Sequence, residues 1–423
     1  MRGLPALSVL IPAAVLGLAG CGNYQRRTEA ARGAYWSGDF ARSAELYQQQ
    51  GRGEGRDRLL YLLETGMALH AGKQYQESNQ CFLKADRVIE ELNFTHVGAG
   101  AIAVLTDDRA LPYAGEEFED VLVNTFAALN FLLAGGPKGP EEALIECRRL
   151  DWKLRQFAEL RKRKYLQNAF ARYLSGVAYE LDREANDAYI DYKMVHQLRP
   201  DFEPVKQDLV RLAHRLGFAD EAAEWEQKFN LKHDPEALAD TGEVVLFYQC
   251  GRAPVKVQRE KLLDLPIYRK ERFVERGAEL LAGGAVLART QVLEDIEATA
   301  VKTLEDRMVP IVARRAASLA LKAGVAAGVR QVVANNTNDS AAANLAGILT
   351  FELLKATAQA DLRCWLTLPA NLQVARARLP AGTHSLELRF LDGAGNPTAH
   401  RAEITGVVVR AGEITILEAR SLK

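Results

Sequence analysis

The stretch Asn168–Pro200, NAFARYLSGVAYELDREANDAYIDYKMVHQLRP, decides the fold. It reads as two antiparallel helices. Gly176 and Ala188 are the small residues at which they touch, and Tyr179 and Tyr192 fill the space beside them. Pro200 stops the second helix, because its ring has no amide donor and clashes with the preceding turn. One such pair cannot bury its apolar face alone, so copies are expected along the chain.

The copies are there. In Arg58–Asp86, Gly66 and Ser78 form the small contact pair at the separation of Gly176 and Ala188, with Tyr75, Phe82 and Ala85 in register. In Arg27–Gln50, Ala31, Ser43 and Tyr47 take those slots, with Gly38-Asp39 at the turn. Asp201–Phe229 is a degenerate unit turning at Leu216–Asp220. The pattern resembles the 34-residue tetratricopeptide repeat, whose stacked helix pairs bind peptides or partner domains. The array is interrupted between Asn93 and Glu116, a connection long enough to be functional, with aromatic and apolar content that predicts an ordered loop. Helices follow over Gly115–Ala134 and Glu141–Lys164, the first carrying the uncharged run Val121–Pro137, too short to span a bilayer and read as a buried core helix. The basic end Arg161-Lys162-Arg163-Lys164 reads as a solvated helix end, with anionic lipid head groups as the alternative contact.

From Thr241 the pattern changes. Glu243–Tyr248 is a strand closed by Gly251, Arg252–Val257 turns into another extended piece, and Ala285–Glu294 is a further short strand. Two helices rich in Ala and Gly then cover about Asp295–Ala334 and Ser340–Ala360, forming a tight hairpin through Asn335–Ser340. Charges at Arg314, Arg315, Lys322, Arg330, Glu352 and Lys355 argue against membrane insertion, and self-association is the functional alternative. Asn371–Arg378, Thr383–Phe390, Arg401–Val409 and Glu413–Ser421 alternate as strands with glycine turns between them. The expected fold is therefore α+β: a tetratricopeptide-like α-solenoid over residues 21–238, a mixed strand and helical-hairpin region over 241–370, and a small β-sandwich over 371–423.

The start of the chain speaks to location. Arg2 precedes an uncharged, mostly apolar run from Gly3 to Gly20, the pattern of a signal peptide over residues 1–20. Leu18-Ala19-Gly20-Cys21 resembles the bacterial lipobox, which implies cleavage before Cys21 and attachment of acyl chains such as palmitate to it. Gly22, where Asp would mark inner-membrane retention, implies an outer-membrane lipoprotein facing the periplasm. Composition is that of a globular protein, 48% hydrophobic and 26% charged. The formal net charge of -1 gives no electrostatic case for nucleic acid. Cys81, Cys147, Cys250 and Cys364 are scattered without a CxxC, so metal and redox motifs are absent.

No enzyme site stands out. The seven histidines show no HExxH spacing, and there is no Gly-x-Ser-x-Gly elbow. Gly135–Gly139 lacks the order of a phosphate loop, and Glu116/Glu117 and Asp107/Asp108 read as caps and turns. No cofactor or metal is expected. Five pieces together resemble a poorly characterised family of Gram-negative tetratricopeptide-repeat outer-membrane lipoproteins: Tyr61-Leu62-Leu63-Glu64-x-Gly66, Tyr113-x-Gly115-Glu116-x-Phe118-Glu119, Glu146-x-Arg148-Arg149, Gly251-Arg252-Ala253-Pro254-x-Lys256 and Ala360-Asp361-x-Arg363-x-Trp365-x-x-Leu368-Pro369. Tyr113, Glu116, Arg252, Lys256, Asp361, Arg363 and Trp365 are the candidate partner-binding residues. For Asp361, Arg363 and Trp365 the favoured alternative is a structural corner, where Trp365 supplies burial and an Asp–Arg pair locks a junction. The resemblance implies an envelope adaptor that binds protein partners through its repeats, or a peptidoglycan or saccharide binder acting through the C-terminal strands.

Overall fold

The computed structural model describes residues 24–53, 55–95, 111–159, 163, 166–236, 239–259, 265–337, 339–356 and 360–423. Cys21 and the leader, the loop 96–110 and all of the basic run 161–164 except Arg163 lie outside the described residues.

Helices pair along the first half. A short α1 (Tyr24–Arg27) leads into α2 (Glu29–Trp36) and α3 (Phe40–Gln50). Then come α4 (Arg58–Ala71) with α5 (Tyr75–Thr95), α6 (Glu117–Ala134) with α7 (Gly139–Glu159), α8 (Ala169–Leu181) with α9 (Ala185–Leu198), and α10 (Glu203–Leu216) with α11 (Ala219–Phe229). The spacing in the sequence becomes contact. Ser43 Oγ donates to the Ala31 carbonyl at 2.9 Å, and Ser78 Oγ to that of Gly66 at 2.7 Å. A Cβ on Gly66 would sit 2.6 Å from the Phe82 ring, and one on Gly176 2.4 Å from the Tyr192 ring. Tyr47, Phe82 and Tyr192 thus fill one slot in three pairs, and all three are fully buried. These are tetratricopeptide-like helical repeats. The α6/α7 pair, read from sequence as helices after an interruption, continues the array: α6 packs on α5, and α7 on α8.

The second half is built on sheets. Strands are β1 (Thr241–Cys250), β2 (Val255–Gln258), β3 (Pro266–Arg269), β4 (Gly277–Ala282), β5 (Ala285–Arg289), β6 (Gln291–Asp295), β7 (Asn371–Pro380), β8 (Gly382–Leu391), β9 (Pro397–Val409) and β10 (Ile414–Arg420). One four-stranded sheet runs β10-β1-β7-β6 and a second β5-β4-β8-β9, with β2 and β3 as a separate ribbon. The expected boundary at 370/371 does not separate two bodies. β7 and β10 flank β1 in the first sheet, β10 parallel and β7 antiparallel, while β8 joins β4 in the second. The expected single strand Ala285–Glu294 is likewise two strands, β5 and β6, one in each sheet.

The physical reason lies in β1, which is apolar on both faces and needs cover on both. Val244, Leu246, Tyr248 and Cys250 face a core shared with Leu280, Leu388 and Phe390 of the second sheet. Val245 and Phe247 belong instead to the core of the helical array, where Phe247 meets Phe170 edge-on at 5.4 Å. The first sheet is therefore a middle layer, and the repeats close on the chain's own strands. At its end Gly251 adopts φ +69 beneath the Phe273 ring, a conformation and a space that suit only glycine.

A hairpin stands apart from these layers. Helix α12 (Ile296–Thr337) and α13 (Ser340–Ala356) pack together as expected. The buried residues of α12 are Ile296, Ala300, Thr303 and Leu304 near its start, then Ala326.

Candidate functional site

Six of the seven sequence-selected residues meet in one place, and it is a buried junction between the repeats and the sheets. Arg363 is at its centre. Its guanidinium forks onto Asp361 at 2.9 and 2.7 Å, donates to Asp57 at 3.0 Å and to the Leu111 carbonyl at 3.1 Å, and lies 5.5 Å from the Tyr113 ring centre. Burial disfavours the charged form, but Asp361 and Asp57 outweigh it and hold the guanidinium's pKa above its ordinary value.

Helix α6 supplies the acidic half through its capping box, Glu116 and Glu119. Glu116 pairs with Lys256 of β2 and Arg307 of α12. Burial pushes the Glu116 carboxyl up, yet the two cations win and bring it below the usual range. Among the described residues Glu119 meets no cation; it accepts from Tyr113 Oη at 2.6 Å, the Glu116 amide at 3.0 Å and the Trp365 amide at 2.9 Å, and burial raises its pKa. Trp365, fully buried, lies 5.8 Å from the Phe82 ring and 6.1 Å from that of Phe126. Just beyond it, Glu64 accepts from the Leu366 amide at 2.7 Å and from Thr367 at 3.1 and 2.6 Å; burial pushes its pKa up to about 7. Arg252 is the residue that does not join them. It covers the Trp36 ring at 4.6 Å and donates to the Leu422 carbonyl, pinning the C-terminal end to the first repeat.

A second junction carries no sequence signature. Arg376 of β7 pairs with Glu243 of β1, with Glu180 of α8 at 3.2 Å and with Asp208 of α10 at 3.1 Å, and donates to the Tyr173 and Tyr192 hydroxyls. Arg211 closes the cluster on Glu180 at 2.6 Å. Burial works against the charged carboxylates, but these arginines hold Glu180 and Glu243 low. Between the two junctions sits His70. Asn130 gives its amide to Ser78 and Asn79, so its oxygen accepts from His70 Nδ1 at 2.6 Å, and Nε2 is left to accept from Gln249 of β1. Burial lowers the imidazole's pKa and keeps it neutral. The thiols of Cys81, Cys147, Cys250 and Cys364 are free, and burial raises each of them to about 11 or 12. Unactivated thiols of this kind are poor nucleophiles.

An open concavity lies where the last helix pairs meet the sheet. It is a groove of about 780 Å³ lined by Arg183, Arg211, Arg215 and Arg378, with His214, His233, Glu180, Glu243 and Glu413. The two imidazoles stack at 4.5 Å, and Glu226 accepts from the His233 amide and pairs with His214. Burial and the neighbouring His214 lower the pKa of His233. The four arginines come from three places, Arg183 from the turn between α8 and α9, Arg211 and Arg215 from α10 and Arg378 from β7, so no single stretch of sequence marks the groove. Among the described residues no group of three or more His, Cys, Asp and Glu has the geometry of a metal site.

No family model and no curated protein matches the chain. Solved structures do. One is MamA, from residue 41 onward, of Desulfovibrio magneticus RS-1, at 17% identity and a TM-score of 0.32 over 48% of this chain and 91% of that one. Another is a Podosopora anserina putative kinesin light chain with nearly identical TPR-like repeats, at 14% identity and a TM-score of 0.33 over 49% of this chain and 92% of that one. Likenesses this distant assign nothing to this chain; its repeats rest on the contacts described above.

Proposed function

We propose that the chain is a non-enzymatic scaffold of the bacterial envelope, held by acyl chains on Cys21 at the periplasmic face of the outer membrane, and that its arginine-lined groove receives an acidic segment of a protein partner. The observation that carries this reading is the groove itself. The first sheet packs against the repeats through Val245, Phe247, Leu372 and Val374, so that face of the array is covered by the chain itself, and the groove is a concavity left open beside it. Arg211 and Arg378 are paired with Glu180 and Glu243, so Arg183 and Arg215 are the forks that would meet a partner's carboxylates bidentately. Tyr113, Glu116, Lys256, Asp361, Arg363 and Trp365 then act as an internal lock, not as a partner surface.

The test is photo-crosslinking in cells from positions 183 and 215, beside the charge reversals Arg183→Glu and Arg215→Glu. A discrete envelope protein should be captured, and lost in the reversed variants while their unfolding midpoints hold. Capture that is indifferent to reversal, or no discrete product, contradicts the groove. A second reading uses the same cations: stem-peptide carboxylates of peptidoglycan would also fit them. Co-sedimentation of the whole chain with purified sacculi, abolished by Arg215→Glu, separates it from the first. The anchor is checked on its own by palmitate labelling and fractionation, with Cys21→Ser expected to lose the label and leave the membrane fraction.

A further inference from the structure

The hairpin α12–α13 breaks the rule that governs the rest of the molecule. The most apolar 18 residues of α12 have a mean hydropathy of 1.2 with no more than two charged side chains, yet only 6% of that stretch is buried. A soluble core helix of that composition would be covered, and a leader would stand near the N-terminus; this helix does neither. Val309, Leu321, Val325, Val332, Leu345, Ile348 and Leu349 make up seven of the fourteen exposed large hydrophobics among the described residues. The outer part of α12 is mostly apolar. Of the charges that the sequence alone sets against insertion, Lys322 and Arg330 fall there, each within about 12 Å of an end of the Ala316–Thr337 stretch, where long basic side chains reach the head groups. Ala326 is buried toward α13, where a Cβ on Gly347 would lie 3.4 Å from its carbonyl. Leu321, Val325 and Val332 are exposed, and the Cβ positions of Gly324 and Gly328 meet nothing. An exposed helical surface this apolar belongs in a large core or in a bilayer.

Place and length favour the bilayer over a second copy. The body ends at Arg307, which is tied to Glu116; Glu116 is tied to Lys256, and the Lys256 carbonyl accepts from Gln25 at 2.9 Å. Gln25 also donates to the Leu362 carbonyl, on the chain returning from α13, at 3.2 Å. The hairpin therefore leaves the body beside the N-terminal helix, and Cys21 is three residues before Tyr24, within about 10 Å of extended chain. From Ala316 to Thr337, α12 is about 33 Å long at 1.5 Å per residue, close to the roughly 30 Å hydrocarbon thickness. Arg314 and Arg315 mark the end nearest the body, where basic residues meet head groups.

We infer that the outer part of the α12–α13 hairpin inserts into the hydrocarbon of the membrane that holds the N-terminus. The argument from place rests on the lipidated-Cys21 reading, so the experiment removes that residue. The chain from Gly22 to Lys423 keeps every described residue and has neither leader nor lipid. Mixed with vesicles of phosphatidylethanolamine and phosphatidylglycerol, it should float with them. The triple variant V325E/V332E/I348E should cut the floated fraction about tenfold, because binding scales with buried apolar area, while its unfolding midpoint without vesicles stays unchanged. Failure to float overturns the inference, as does equal flotation of the variant. If sedimentation velocity instead shows an oligomer that the triple variant dissociates, and nothing floats, the occupant is a second copy and the lipid reading is wrong. Should the shortened chain float while the native chain takes no palmitate, the anchor fails and the hairpin inference stands.

Discussion

Val121–Ala134 in α6 and Ala316–Ala334 in α12 are both long, apolar helical stretches, the first without a charge and the second with Lys322 and Arg330. In the first, all but Phe131, Leu133 and Ala134 are buried; in the second, Ala326 alone is. The difference is in the neighbours. Helix α6 is enclosed by α5, α7, α8 and β10, whereas the outer part of α12 pairs with α13 and otherwise faces outward. Composition tells how much apolar surface a segment must hide. It does not tell whether the chain itself or another phase hides it.

The largest expected effect lies in what encloses the repeats. Arg376→Ala takes one of the two arginines that Glu180, Asp208 and Glu243 share and leaves them Arg211; removing one partner from a buried ion cluster costs up to about 3–5 kcal/mol. Urea unfolding should show that loss, with Arg376→Lys recovering part of it because a point charge cannot replace the fork. A loss under about 1 kcal/mol would mean that sheet and repeats are not held together here.

Next comes pH. Glu64 is fully buried and Glu294 nearly so, and burial pushes both to about 7. A carboxyl whose folded pKa is raised binds its proton more tightly in the native state. Its contribution is fully present below the unfolded value near 4.5 and is lost as pH rises through 7. For Glu64 that is about 3 kcal/mol at most. Glu180 and Glu243 act the other way, but their loss comes only as pH falls below about 4.5. Thermal unfolding should therefore show a more stable protein at pH 5 than at pH 8, and Glu64→Gln should reduce that difference, leaving the share of Glu294. A flat profile in the unsubstituted chain would contradict the burial of Glu64.

Smaller still is Gly176→Ala. The new methyl would lie 2.4 Å from the Tyr192 ring, and crowding of this kind costs about 1–3 kcal/mol. Gly324→Ala, on the open side of α12, meets nothing and should leave the body's midpoint where it is or raise it slightly through helix propensity.

How much of this was legible follows from the same physics. The repeat register was, because Gly66, Ser78, Gly176 and Ala188 are required by a contact between helices adjacent in sequence. The lock was partly so: Tyr113, Glu116, Lys256, Asp361, Arg363 and Trp365 stand in recognisable pieces, but their burial depends on a fold that joins α6 to β2 and the end of the hairpin. The arginine groove was not, since Arg183 and Arg378 are brought together only by topology. Nor was the sharing of strands between sheets, because alternation marks a strand without naming its partner. β3 and β4 escaped notice, being only four and six residues long.

What covers the hairpin in water shows in the cost of truncating it. Leu345→Ala removes a side chain that is 57% exposed, and surface substitutions away from packed features usually fall within ±0.5 kcal/mol. Leu129→Ala in α6 removes the same atoms from a fully buried site and should cost about 2–5 kcal/mol. Measured side by side by urea unfolding without lipid, the two changes should differ severalfold although the chemistry is identical. If Leu345→Ala costs as much as Leu129→Ala, and the cost grows with protein concentration, the hairpin is already buried in solution against a second copy. Equal cost independent of concentration would mean that α13 packs back on the body. A cost near zero leaves the apolar side chains of the hairpin bare in water, the condition under which vesicles should take it up.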